Sequence, residues 1–553
     1  NGAGGLVPDS GLAAPGVANP VTSWVGANTP TQTTSNGQTI VTIQQTQSQA
    51  LLNWTTFNVG MNTVVNFNQQ GNAGWIALNR IGPSGVPSQI LGQIKADGQV
   101  LLINQNGIIF GGTSQVNVHT LIASASDITI SNQHTAAGTN PLFLQSGLFS
   151  NTINNPSGGN ALNDLATFDQ SAGGAILVKP GAQIDTTQNL TASGDGGYVA
   201  LIGGGGGVTN GGSITTRNGQ IILAGTGASL MPPPLGATGT QTAIQILNGQ
   251  SDTVINDTNG LLLSADGAAT LAGGSIRQLG AIEATTSVTR PGSIIINAGA
   301  NVILESGSVM AILPDESGGT APTATANSNF SVIQPQITIQ AQGDVDVQGS
   351  SSAGLPGAFI EAPSAALTIQ AGGSGNLANS SIVPGTVGTV LLEPGSTIDL
   401  SGIAGVTLPM SINEVSILIT ANEVADDPLA RNLIGQTVTI DARLSGTNAN
   451  GFQWVGSPIL DAAGFVGLIP ETIDQVLTVG GSFNVTAKNF IQQPGSAINI
   501  AGGFVNYTGG FIQTTRLIGS DGRLYDIGSA NPALSYTILN GFTVDHAHWG
   551  VIQ

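Results

Sequence analysis

The chain has 553 residues, a formal charge of −19, only 7% charged positions, 80 glycines and no cysteine. Eleven lysines and arginines, scattered without a cluster, exclude a nucleic-acid footprint and disfavour an anionic membrane surface. Hydrophobic residues at 40% exclude plain disorder, and no apolar run is long enough for a membrane-spanning helix.

What remains is a β-rich body of short strands separated by Gly, Asn, Ser and Thr. Avoiding cysteine suits a chain that crosses a membrane unfolded, where a premature disulfide would block passage. The chain begins at Asn1, without Met and without a basic-then-apolar leader, so a signal peptide is expected to have been removed already.

In chain order, residues 1–30 are rich in Gly, Ala and Pro and are expected to cap the first structural repeat, because an open sheet edge attracts other strands. Residues 31–225 then carry short apolar runs that stop at Gly, Asn or Pro, such as "TVVNFN" (63–68), "AILVKPG" (175–181) and "GQIILAG" (219–225). Within them, "GQVLLINQNGIIFGG" (98–112) places apolar runs on both sides of an Asn-Gln-Asn-Gly turn. Residues 226–245 contain Pro232, Pro233 and Pro234, which cannot donate ladder hydrogen bonds, and are expected to form an extruded loop. Residues 246–553 continue the strand pattern with insertions, and two short helices are expected at "DPLARNLI" (427–434), capped by Asp427, and "PETIDQVL" (470–477).

A phrase recurs in "KPGAQID" (179–185), "EPGSTID" (393–399) and "QPGSAIN" (493–499). Pro-Gly makes a corner, Ile184, Ile398 and Ile498 point inward, and the following Asp or Asn starts the next corner. Frequent corners and short strands favour a right-handed parallel β-helix over a sandwich of hairpins. At roughly 20–25 residues per coil and ~4.8 Å per coil, the whole chain would form a rod on the order of 100 Å long.

The stretches "VVNFNQQGNAGWIALNRI" (64–81) and "QILGQIKADGQVLLINQNGIIFGGTSQVNVHTLIASASDI" (89–128) closely resemble the secretion domain of two-partner-secretion exoproteins, the filamentous-haemagglutinin-like adhesins of Gram-negative bacteria. The family's Asn-Pro-Asn-Gly-Ile signature is carried by Asn104, Gln105, Asn106, Gly107 and Ile108, with Gln105 in place of Pro; its second Asn-Pro-Asn-Leu signature is not found. The resemblance implies a capped amino-terminal secretion domain, export through an outer-membrane barrel with periplasmic recognition modules, and a secreted or cell-surface destination. It further implies a non-catalytic adhesive rod whose ligand lies on a host cell, a bacterial cell or a polysaccharide. Asn104–Ile108 is then either an address read by the transporter or a corner needed to build the first coils.

Other candidate sites are better explained without chemistry. His546 and His548, beside Asp545, could hold zinc, but no third strong ligand stands nearby. Asp344 and Asp346 share a strand face, as calcium or acid–base pairs do, yet paired carboxylates on an exposed β face are common. Single His119 and His134 carry no pattern, Asp426–Asp427 reads as a helix start, and Gly203–Gly207 lacks the Lys-Ser/Thr and helix of a phosphate loop. No cofactor and no metal are expected. Two alternatives stay open: the stalk base of a contact-dependent growth-inhibition toxin, and a β-helix polysaccharide hydrolase or lyase, which would need a carboxylate cluster with basic residues in one groove.

Overall fold

The computed structural model describes residues 5–9, 24–82, 85–130, 143, 166–168, 173–188, 196–230, 244–246, 252–322, 334–351, 354–373, 387–448, 451, 453–467, 469–539, 545–546 and 551–552. They fall into two compact units. The first comprises residues 1–317, 333–402 and 480–501, and the second residues 318–332, 403–479 and 502–553.

The first unit is a parallel β-helix. Each coil has three walls, seen in the successive strands Gln93–Ala96, Gln99–Ile103 and Ile108–Phe110, after which Gln115–Asn117 returns to the first wall. Val100 pairs with Leu121 in parallel register, so one coil here takes 21 residues. Inward side chains of all three walls, among them Ile94, Val100, Leu102, Ile108, Phe110 and Val116, are excluded from solvent and join one core that runs from Trp24 to Leu400. Burial of this kind works only between neighbours, because a single coil has no second layer of its own.

The three Pro-Gly phrases occupy equivalent places. Gly181, Gly395 and Gly495 turn with φ of 91°, 92° and 95°, values that a side chain resists. Ile184 and Ile398 are buried and Ile498 packs against the same core from its edge. The Asx residue then opens the next corner by accepting a backbone hydrogen bond two residues on: Asp185 from Thr187 at 2.7 Å, Asp399 from Ser401 at 3.0 Å and Asn499 from Ala501 at 3.2 Å.

Polar side chains stack inside as well. Asn210 and Asn256, both fully buried, are joined by a 2.8 Å amide hydrogen bond from one coil to the next.

The middle wall is buried on both faces over the early coils. Leu101, Ile103, Ile122, Ala200, Ile202 and Ile222 point out of the helix into a second apolar cluster with Phe143, Phe168 and Leu230. Covering it is an antiparallel sheet of Ile128–Ile130, Ala166–Phe168, Ala228–Leu230 and Ile244–Ile246. The loop expected over residues 226–245 therefore leaves the coil but is partly built into strands, because Ala228 and Leu230 have an apolar wall to cover; Pro232–Pro234 lie outside the described residues.

At the amino-terminal end, Leu6–Pro8 and Trp24–Val25 add antiparallel to the edge strand Gln49–Phe57. Trp24 stacks edge-on against Trp54 at 4.8 Å, and Trp54 against Phe57 at 5.1 Å.

The core runs on past residue 225, since Gln220–Ala224 pairs in parallel with the strand Ala268–Gly273. The β-helix continues beyond residue 246 with an insertion, but does not run to residue 553. Its last described coil is Ser482–Thr486, Asn489–Gln492 and Ala497–Asn499, while residues 403–479 and 502–553 build the second unit. Among the described residues, eleven parallel strands in the middle wall make the helix about 50 Å deep at ~4.8 Å per step, half the length expected. The excursions and the second unit take up the remaining chain.

The second unit has its own core of Ile417, Ile419, Leu433, Val438, Ile440, Ile459, Leu517 and Tyr536. Antiparallel pairs build it, including Glu414–Leu418 with Thr437–Asp441 and Arg516–Gly519 with Leu524–Asp526. Both expected helices are present but short. Asp427 caps a 3₁₀ turn at Pro428–Leu433 by accepting from the Leu429 amide, and Thr472 with Gln475 forms a capping box on Ile473–Val476.

Candidate functional site

The Asn104–Ile108 segment is the corner between the middle wall strand Gln99–Ile103 and the third wall strand Ile108–Phe110. The Gly107 amide donates to the Asn104 carbonyl at 2.8 Å, which closes a four-residue turn. Gly107 has φ 109°, and a Cβ there would lie 2.7 Å from the Ala175 carbonyl oxygen of the next coil. Glycine is required at this position twice over.

Asn104 is the hub. Only 1% exposed, its side-chain oxygen accepts from both the backbone and the side-chain nitrogen of Asn106 at 3.0 Å. Its side-chain nitrogen donates to Ser88 Oγ at 3.0 Å and the Val86 carbonyl at 3.2 Å, and its own amide donates to the Ser124 carbonyl at 2.9 Å. One buried asparagine thus ties its turn to strands on both sides. Ile108 is fully buried, and Gln105 accepts the Gly174 amide through its backbone carbonyl while its side chain faces solvent. Of the five signature residues, Gln105 and the outer part of Asn106 are what a partner could touch on the folded corner.

The glycine run repeats this corner two coils on. Gly203 donates to the Ala224 carbonyl as Asn104 does to Ser124, and Gly207 closes its turn onto Gly204 before the strand Val208–Asn210. Close approach of successive coils explains the glycines there.

Asp344 accepts the Thr389 amide at 2.8 Å, and burial, with the nearby Glu393 and Asp344 charges, pushes the Asp346 carboxyl up. Burial raises Asp427 too, opposed by the Leu429 and Ala430 amides it caps. His119 is buried; His134, His548 and the His546 side chain lie outside the described residues. Among the described residues, no three His, Asp or Glu side chains are grouped to hold a metal, and no helix is long and apolar enough to cross a membrane.

Sequence reasoning missed one titratable pair. Asp266, at a corner with φ 49°, is hydrogen-bonded to Asp315. Burial first, and then the Asp315 charge, raise its carboxyl to about 6, while Asp315 lies below the usual carboxylate range because Ser317 and Asp266 donate to it, against its own desolvation. Below about pH 6 the proton of the pair is held by Asp266. No motif marks it, since the partners are 49 residues apart and meet only through coil stacking.

Comparison with known proteins identifies the family. The family model described as the TPS secretion domain matches residues 18–311, and the chain belongs to this two-partner-secretion family. The match extends past the boundary expected at residue 225. Over 88 residues the chain is 36% identical to a heme/hemopexin-binding protein of Haemophilus influenzae, and equally to its counterpart in strain Rd; that stretch is 16% of this chain and spans about a tenth of those relatives. The crystal structure of the HMW1 secretion domain from Haemophilus influenzae aligns with a TM-score of 0.46 at 22% identity, covering 68% of this chain and 83% of that one.

Proposed function

We propose that the chain is a secreted or surface-attached, non-catalytic adhesin of a Gram-negative bacterium, exported by a dedicated outer-membrane barrel whose periplasmic modules recognise residues 18–311. The observation that carries this reading is the secretion-domain match across those residues. In this reading the chain crosses the periplasm unfolded and coils form outside, each burying apolar surface against the last. The rod then displays a ligand-binding surface toward a host cell, another bacterium or a polysaccharide.

Co-expression of the chain, behind a signal peptide, with the barrel encoded beside it should deliver it to the medium or cell surface, and deletion of residues 18–311 should leave it in the periplasm. Export without those residues would refute the reading. Purified protein should release no product from pectin or alginate, the result that separates a rod from a β-helix lyase.

A second reading rests on the curated relatives, whose name states binding of haem and hemopexin. Titration with hemin, followed by the haem absorption band, and pull-down with hemopexin decide whether that ligand class extends to this chain.

A further inference from the structure

We propose that Asn106–Gly107 is a deamidation site which the folded corner protects and the unfolded chain exposes, so that a chain modified there can no longer close its own signature corner. Asn-Gly is the asparagine pair most prone to this reaction, because glycine leaves its amide unshielded. The Gly107 nitrogen, having lost its proton, attacks Asn106 Cγ. The new N–Cγ bond closes a five-membered imide, and Nδ2 leaves as ammonia. Water opens the ring to aspartate or isoaspartate at position 106. Water is the only co-reactant, and nothing is oxidised or reduced.

The folded geometry blocks each step. The nucleophilic Gly107 amide is committed to the Asn104 carbonyl at 2.8 Å, so its proton is held. The leaving Nδ2 donates to Asn104 Oδ1 at 3.0 Å, which holds the Asn106 side-chain amide in place. Gly174 and Ala175 of the next coil press against the corner backbone and hold it in its closed turn. By contrast, Asn36–Gly37 is an exposed hairpin tip, with both residues at positive φ and nothing within 4 Å of a Cβ on Gly37.

The product fails for a specific reason. Asn104 Oδ1 already accepts two hydrogen bonds from residue 106, and Asn104 Nδ2 is used up on Ser88 and Val86. A carboxylate at 106 would replace a donor by a charge aimed at an acceptor. Isoaspartate would in addition lengthen the backbone inside a turn that has no slack. For a chain exported unfolded this makes the corner a timer, since lingering chains lose the ability to nucleate their first coils. That consequence rests on the export reading, so the test uses purified protein and stands apart from it.

The full 553-residue chain is incubated at pH 7.4 and 37 °C, folded in buffer and unfolded in urea, and modification at residue 106 is followed by peptide mapping. Conversion should be at least about tenfold slower in the folded chain, as local protection requires. Equal rates overturn the proposal. The chain carrying Asn106→Asp is then melted against wild type between pH 7 and pH 3. It should melt lower at pH 7, and the gap should close as the introduced carboxyl takes up a proton near ~3.9 and regains a donor. An Asn106→Asp chain that does not fold at pH 7, beside an Asn106→Ser chain that does, supports the same conclusion. Wild-type melting of Asn106→Asp at pH 7 overturns it.

Discussion

At the scale of single residues, the corner separates what is built in from what is displayed. Asn104 satisfies four partners while almost fully buried, so Asn104→Ala should destabilise the first unit by about 2 kcal/mol, the cost of leaving buried donors and acceptors unmet. Gln105 faces solvent, and Gln105→Ala should change stability by less than about 0.5 kcal/mol. Thermal melting checks both. Binding to the transporter's periplasmic modules then separates structure from address: an address loses binding with Gln105→Ala at unchanged melting temperature, a structural corner loses it only with Asn104→Ala.

Asp266 makes a pH prediction of the opposite sense to an ordinary salt bridge. Its folded value, about 6, lies above that of an exposed carboxyl, so the folded state prefers the proton. The group therefore costs stability above pH 6, and the cost fades as pH falls from about 6 toward 4. Because Asp266 is only half buried, solvent screening reduces the cost to about 1 kcal/mol. Asp266→Asn keeps a donor toward Asp315 without the charge. It should raise the melting temperature at pH 7.5 and leave it unchanged at pH 4.5; a variant that melts lower at pH 7.5 would count against the shared proton.

At the scale of elements, the walls state in their sequence whether they are covered, once the pattern is known. "VLLI" (100–103), "LIA" (121–123) and "VALI" (199–202) are continuously apolar, and their outer faces lie under the antiparallel sheet. "QITIQA" (336–341) and "ALTIQA" (366–371) alternate, with Thr338, Gln340, Thr368 and Gln370 on an open face. A parallel strand buried on both sides loses the period-two signal, which is why residues 100–103 read as one unbroken apolar run. The Pro-Gly-x-x-Ile-Asx phrase was legible because corner chemistry is local: a glycine at positive φ, one inward Ile and one Asx turn suffice.

The covering sheet was not legible, because its strands are separated in sequence and meet one another only over the wall beneath. The second unit was hidden for a similar reason: its core joins Ile417 and Leu433 to Leu517 and Tyr536 across the last coil's residues. Ile122→Asp, pointing out of the wall into the covered cluster, should cost several kcal/mol, while Thr338→Lys on the open face should stay within about 0.5 kcal/mol. In the second unit Asp427→Ala should cost about 1 kcal/mol through loss of the cap alone. Urea unfolding measures all three.

At the scale of the molecule, the β-helix is a chain of neighbour contacts, and that dictates how damage spreads. Ile296 is fully buried in the strand Ser293–Ala298, which pairs with Ala268–Gly273 on one side and Gln336–Ala341 on the other. Ile296→Asp places an unpaired charge in that core at a cost of several kcal/mol, too much for one coil to absorb. Coils at the amino-terminal side keep their partners, so amides of Gln99–Ile103 should retain their hydrogen-exchange protection. The strand Gln336–Ala341 and the strand Ala366–Ala371 beyond it lose their template and should lose protection. If coil burial outside the cell draws the chain forward, the same variant should emerge slowly and stall with its amino-terminal coils folded outside. Residue 296 lies within the matched residues 18–311, so binding to the barrel's periplasmic modules is measured alongside: slower emergence with unchanged binding would report the drive itself. Export of Ile296→Asp at the wild-type rate would show that folding follows passage and does not power it.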